Sequence, residues 1–258
     1  MIAAMGFLLA FLATENGNAA PRKKMVSLVR KSAASANTAA LTLDVIPGCP
    51  TDASVTLNFL SGEAADVYYK YGTTSGAYRD STAVITRPAG EPLETVLKSL
   101  LPDTRYYYRA LSRESGTTVF QAGDEHTFHT QRARGGAFTF CIQGDSHPER
   151  LGKMFDPDLY LRTMNNVVKD LPDFYFTIGD DFSIERLIEG NLLSQAAVDS
   201  IYMNQRPYLG IIGKTSPLFL VNGNHEQAAQ YLLNGTPDNA AVFAAKARTK
   251  FYPLPAPD

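Results

Sequence analysis

The sequence predicts two folds in series, an all-β sandwich followed by an α/β domain. Three observations predict this. Residues 41–130 break into short alternating runs between Gly, Pro and Asp signals, with no long stretch of 3.6-residue period. From Ala137 onward, apolar strand-like runs alternate with helix-period stretches. Each of three such runs ends in a polar cluster of Asp, His or Asn. The 258 residues are 45% hydrophobic and 19% charged, a globular composition that excludes a disordered tail, a collagen and a coiled coil. A formal charge of −2 offers no polybasic surface for nucleic acid or membrane.

The chain opens on an apolar run at 2–13 with the length of a signal-peptide core, too short to span a bilayer comfortably. Cleavage after Ala19 would put Gly17 and Ala19 at the two small-residue positions. No Lys or Arg precedes the run, and Arg22, Lys23 and Lys24 follow it. Residues 1–20 therefore read as a secretory signal, which implies a secreted or periplasmic protein. An uncleaved anchor and a plain buried segment are the alternatives. Residues 21–40, small and polar in their second half, read as a linker.

Seven candidate strands follow, at 41–46, 54–60, 65–71, 81–86, 91–97, 105–112 and 117–130. Leu100-Leu101-Pro102-Asp103-Thr104-Arg105-Tyr106 reads L-x-P-x-T-x-Y and leads into alternating Tyr106, Tyr108 and Ala110. The motif resembles the turn into the sixth strand of fibronectin type III domains. That resemblance implies a tyrosine corner, in which the Tyr106 hydroxyl bonds back to the backbone. His126 and His129, three apart on a strand, face opposite sides and cannot share one metal. Cys49 and Cys141 fall in different domains and are expected as free, buried thiols.

Beyond Arg132–Gly136, read as a hinge, the runs at 137–143, 174–178 and 218–221 are apolar strands, while 158–171 and 194–212 have helical period. Pro207 should break or kink the second helix. Asp156 and Asp158 flank Pro157 and suit a helix cap. After the three strands come Gly144-Asp145-Ser146-His147, Gly179-Asp180-Asp181 and Asn222-Gly223-Asn224-His225-Glu226. Ligand sites of open α/β sheets lie beyond the carboxyl ends of the strands, so all three clusters can converge. Carboxylate, imidazole and amide oxygen without thiolate suit Zn, Fe or Mn.

These residues resemble the calcineurin-like metallophosphoesterases, which carry D-x-H, G-D and G-N-H-[ED] in this order at strand ends. Asp145-x-His147, Gly179-Asp180 and Gly223-Asn224-His225-Glu226 match, with 35 residues from Asp145 to Asp180 and 44 from Asp180 to Asn224, each room for a helical crossover. The domain order further resembles purple acid phosphatases and related bacterial enzymes. The implied fold is a fibronectin-like sandwich at 41–130 and part of a metallophosphoesterase domain at 137–258. The implied activity is hydrolysis of phosphoric esters by two metal ions, a metal-bound hydroxide attacking phosphorus. Asp145 and His147 would hold the first ion, Asp180 would bridge both, and Asn224 would hold the second. His225 would face the phosphoryl group as acid or charge stabiliser without binding metal. Asp181 and Glu226 would stand behind these ligands or serve structure.

Two departures qualify the resemblance. Purple acid phosphatases carry glycine and tyrosine where this chain has His147 and Ser183, so the site looks like the general D-x-H class. The family adds histidines after G-N-H-E, whereas none follows His225 here. The sequence thus reads as an incomplete catalytic domain. A catalytically inactive fragment, acting at most as a fibronectin-like binding module, is the alternative function. A phosphate ester is the expected partner. Neither nucleic acid nor a membrane span beyond the N-terminal segment is expected.

Overall fold

The computed structural model describes residues 44–226 and 234–255. The N-terminal apolar run, the linker at 21–40 and the first residues of the 41–46 strand lie outside them. Eight strands form first: β1 Asp44–Gly48, β2 Val55–Leu60, β3 Ala65–Gly72, β4 Asp80–Ser81, β5 Ile85–Arg87, β6 Leu93–Leu97, β7 Arg105–Glu114 and β8 Gln121–His129. The expected strand at 81–86 is two short edge pieces, β4 and β5, both paired with β3. The sheet β6-β2-β1 faces the sheet β4-β3-β7-β8. Period-2 alternation turns Val55, Leu57, Phe59, Leu93 and Leu97 inward against Tyr69, Tyr108 and Phe128. Tyr106 stacks on Phe128 at 5.6 Å, and its hydroxyl accepts the Leu101 N–H at 2.9 Å, so the tyrosine corner is present. Cys49 and Cys141 are free, as expected, but half-buried rather than buried.

The second half follows as β9 Phe140–Gln143, α1 Pro157–Asp170, β10 Phe174–Thr177, α2 Glu185–Glu189, α3 Gln195–Gly213, β11 Leu218–Leu220 and α4 Ala240–Phe251. Strands β9, β10 and β11 are parallel neighbours. Asp156 caps α1, its carboxylate accepting the N–H groups of Asp158 and Leu159. Ser194 caps α3 through Ala197 N–H. Tyr160 and Met164 of α1, Val198, Tyr202 and Leu209 of α3, and Ala244 and Phe251 of α4 bury one face of the sheet. On the other face Phe138, Phe140, Phe174, Phe219 and Phe176 form a chain of ring contacts.

The sandwich and the α/β layer were expected as separate domains. In the structure they share a sheet. β1 pairs in parallel with β11 at Gly48 and Leu218, giving the continuous order β6-β2-β1-β11-β10-β9. A buried arginine reinforces the join. Arg206 Nε donates to Asp44 Oδ2 at 2.7 Å, Nη1 to Asn58 Oδ1 at 2.8 Å and also to Phe251 O, and Nη2 to Asn58 O at 3.2 Å.

The same clamp explains why α3 continues unbroken through Pro207, where the sequence predicts a break or kink. Proline disfavours the helical region at the preceding residue and removes one helical hydrogen bond. Here that preceding residue is Arg206, fixed by its guanidinium, and Tyr202 and Leu209 on either side are fully buried. Tertiary packing outweighs the local preference.

His126 lies at the same join, edge-on to Tyr108 at 5.5 Å. Burial is the main cause that pushes its imidazole from 6.5 down to about 4. Lys214 at the end of α3 lowers it further, against the opposing charges of Asp124 and Asp44. The unfolded chain therefore binds more protons between these values, and stability falls as pH drops from about 6.5 to about 4. The expected loss is about 2 kcal/mol after allowance for partial exposure. Urea unfolding at pH 7 and pH 4.5 checks this. His126→Leu should lose that part of the pH dependence; an unchanged pH dependence would contradict it.

Candidate metal centre

The three polar clusters do converge at the carboxyl ends of β9, β10 and β11. Strands β9 and β10 each run into a sharp turn that needs unusual backbone. Asp145, His147 and Asp180 have φ values of 55°, 41° and 62°, and Gly179 has 104°. A non-glycine residue in the left-handed region costs on the order of 1–3 kcal/mol and persists only where the surroundings hold it. Here they do. Asp145 N–H donates to Gly179 O and His147 N–H to Asp180 O, both at 3.1 Å, so the loop after β9 hangs on the loop after β10.

The loops after β10 and β11 touch through glycine. A Cβ added at Gly179 would strike the Gly223 backbone, and one at Gly223 would strike the Asp180 carboxylate. The Gly-Asp and Gly-Asn pairs of the sequence are thus two halves of one close approach.

Glu226 locks this contact. One oxygen of its buried carboxylate accepts Asp180 N–H at 3.0 Å and Gly223 N–H at 2.6 Å. The other accepts Asp181 N–H at 2.7 Å and Phe182 N–H at 3.0 Å. Both oxygens are used by backbone donors, so Glu226 shapes the site from behind. Asp181 points beneath it, its Oδ1 accepting Gln143 Nε2 at 2.7 Å. Burial pushes the Asp181 carboxyl up to about 6, with the Glu226 charge adding to the rise and the bond from Gln143 opposing it.

At the front, donor atoms of His147, Asp180 and His225 all lie within 4.8 Å of one another. His147 Nε2 is 3.9 Å from Asp180 Oδ2 and 3.6 Å from Asp145 Oδ1. Asp145 is exposed on the rim, while His147 is buried. Backbone geometry holds Asp180 too, since His225 N–H donates to its Oδ1 at 3.0 Å. Asn224 is exposed and has no polar partner among the described residues. Asp145, His147, Asp180 and His225 are therefore brought together, Asn224 stands beside them, and Asp181 and Glu226 lie behind.

Two residues that sequence reasoning missed contact the imidazoles. Glu149 Oε1 lies 2.9 Å from His147 Nδ1 and accepts Arg150 Nε at 3.2 Å. Glu185 Oε2 lies 2.6 Å from His225 Nδ1, out of line for a hydrogen bond, and 3.5 Å from Ser183 Oγ. The available signal was a carboxylate within five residues of a ligand position, which is too common in sequences to single either out.

No family model and no curated protein sequence matches the chain. Among solved structures, PhoD superposes with a TM-score of 0.54 at 17% identity, over 82% of this chain and 46% of that one. The chain thus spans less than half the length of that protein. At this identity the likeness is one of fold alone. The anti-sigma factor RsgI4 sensor domain from Pseudobacteroides cellulosolvens also matches, with a TM-score of 0.30 at 15% identity over 38% of this chain and 95% of that one. So does the fibronectin type III domain of a human fibronectin type III domain-containing protein, at 0.26 and 16% over 39% and 95%.

Proposed function

We propose that the chain carries the metal site of a phosphoric-ester hydrolase. The observation that carries this reading is the His147, Asp180 and His225 group at the carboxyl ends of parallel strands, in a fold like that of PhoD. The donor set fits a cation: one carboxylate and two imidazoles, with no thiolate, suit Zn, Fe or Mn. His147 and Asp180 would hold the ion, with Asp145 at the rim. A bound cation would polarise a phosphoryl oxygen and lower the pKa of a bound water. The protein's own part is preorganisation. Glu226 and the facing glycines fix Asp180 before any ligand arrives, so less ordering is left for binding. Asp145, exposed beside the buried His147, would be open to a phosphate ester.

The two-ion arrangement implied by the resemblance would need Asn224 and further donors for the second ion. A secretory role for residues 1–20 belongs to the same proposal, supported by the apolar run at 2–13. Loading the purified chain with Mn or Zn and assaying an aryl phosphate and a bis-aryl phosphate tests the function. The expected result is hydrolysis abolished by a chelator and lowered at least about 100-fold in His147→Ala. Turnover indifferent to the chelator, or none above buffer, would overturn it.

A further inference from the structure

We infer that Glu149 is a positioning residue of the cation site: its carboxylate fixes the tautomer and orientation of His147, so that Nε2 meets a cation with its lone pair free. The inference rests on the metal-dependent reading above and adds to it a residue that binds neither ion nor substrate.

The local sequence places this carboxylate. His147 has a left-handed backbone, with φ at 41°, and Pro148 opens a single 3-10 turn over Pro148–Arg150. Arg150 N–H closes the turn on His147 O at 2.9 Å. A turn this tight brings the side chain two places on back beside the His147 ring. Glu149 Oε1 then lies 2.9 Å from His147 Nδ1. Arg150 Nε donates to the same oxygen at 3.2 Å, which holds the carboxylate in the turn.

Distances decide the tautomer. His147 Nε2 stands 3.6 Å from Asp145 Oδ1 and 3.9 Å from Asp180 Oδ2, both beyond a hydrogen bond. Of these three carboxylate contacts, the one at Nδ1 alone is short enough for a charge-assisted bond. His147 is only 3% exposed, so water offers its nitrogens little competition. The neutral ring therefore carries its proton on Nδ1, the position a free imidazole disfavours, and turns a bare Nε2 toward the two aspartates. A carboxylate behind a histidine prepares it for a metal ion in this way. Glu149 cannot ligate the same ion, because it sits on the nitrogen that faces away from Asp145 and Asp180.

Two variants separate orientation from charge. Glu149→Gln keeps an oxygen that can accept Nδ1–H, and Glu149→Ala keeps none. Long-range proton–nitrogen correlation spectra of the ion-free protein at pH 8, above the ordinary imidazole range, read each tautomer. His147→Gln identifies the His147 signals. Wild type and Glu149→Gln should show His147 as the Nδ1–H form, and Glu149→Ala should shift it largely to Nε2–H. Calorimetric titration with Co2+ should find binding at least about tenfold weaker in Glu149→Ala, with Glu149→Gln in between. A residue that merely supports the fold would lower stability without moving the tautomer. An Nε2–H ring in the wild type, an unmoved tautomer in Glu149→Ala, or wild-type Co2+ affinity in that variant would overturn this inference and leave the proposed function standing. If Glu149→Ala does not fold, the wild-type tautomer still decides. No Co2+ bound by the wild type overturns the proposed function and this inference with it.

Discussion

Replacing Arg206 by methionine is expected to lower the unfolding free energy by about 3–5 kcal/mol, because it leaves buried partners without their charge. Arg206 is 1% exposed. Its loss strands the Asp44 carboxylate, the Asn58 side chain and two backbone carbonyls, Asn58 O and Phe251 O. These groups come from β1, β2 and α4, so the damage spreads across the join between sandwich and α/β layer. A double variant that also replaces Asp44 by leucine should recover part of the loss, since removing both charges is cheaper than orphaning one. Urea unfolding followed by tyrosine fluorescence reads both halves, as the chain has 13 tyrosines and no tryptophan. The wild type should unfold in one transition. Two separate transitions, with the sandwich unaffected by Arg206→Met, would show that the shared sheet does not couple them.

The second large effect is expected at Glu226. Its carboxylate answers four backbone N–H groups from two loops, all at 2.6–3.0 Å. Glu226→Ala leaves these donors buried and unpaired, and a net cost of about 3 kcal/mol or more follows. The loops that carry Asp180 and His225 then lose their common anchor, so cation affinity should fall at least about tenfold. Glu226→Gln is the sharper comparison. An amide offers one oxygen and turns an N–H2 toward N–H donors, so it should restore stability only in part. Thermal melts and cobalt titrations of both variants check this. Full cation affinity in Glu226→Ala would mean that the loops hold their shape without it.

Much of this fold was legible because local and long-range signals agreed. The strands of the sandwich read from alternation and turn residues, and the Leu100–Tyr106 motif named its own hydrogen bond. The cap at Asp156 did the work its chemistry suggests. Three things were not legible. The β1–β11 pairing joins residues 170 positions apart, Gly48 and Leu218, and no local pattern encodes it. Pro207 signalled a break or kink, and the helix continues across it beside a distant arginine clamp. Helix α4 went unread because its alanine-rich run is weakly amphipathic, although Asn239 caps it.

In the site, the ordered Asp, His and Asn motifs located the loops correctly at the strand ends. They could not tell which side chains face one another. Asp180 and Asp181 are adjacent in sequence, yet one faces the histidines and the other the Gln143 amide underneath. Backbone conformation at Gly179 and Asp180 decides that, and it depends on Gly223 and Glu226 more than 40 residues away.

The most direct test of the account is the metal content of three proteins after loading and exhaustive dialysis: wild type, Asp180→Asn and Asn224→Ala. Asp180 sits within the donor group, gripped by the backbone of His225, whereas Asn224 is exposed beside it. Asp180→Asn should therefore retain less than about a tenth of the wild-type metal, and Asn224→Ala should retain most of it. Full metal in Asp180→Asn, or a greater loss in Asn224→Ala, would contradict the placement of the cation among His147, Asp180 and His225.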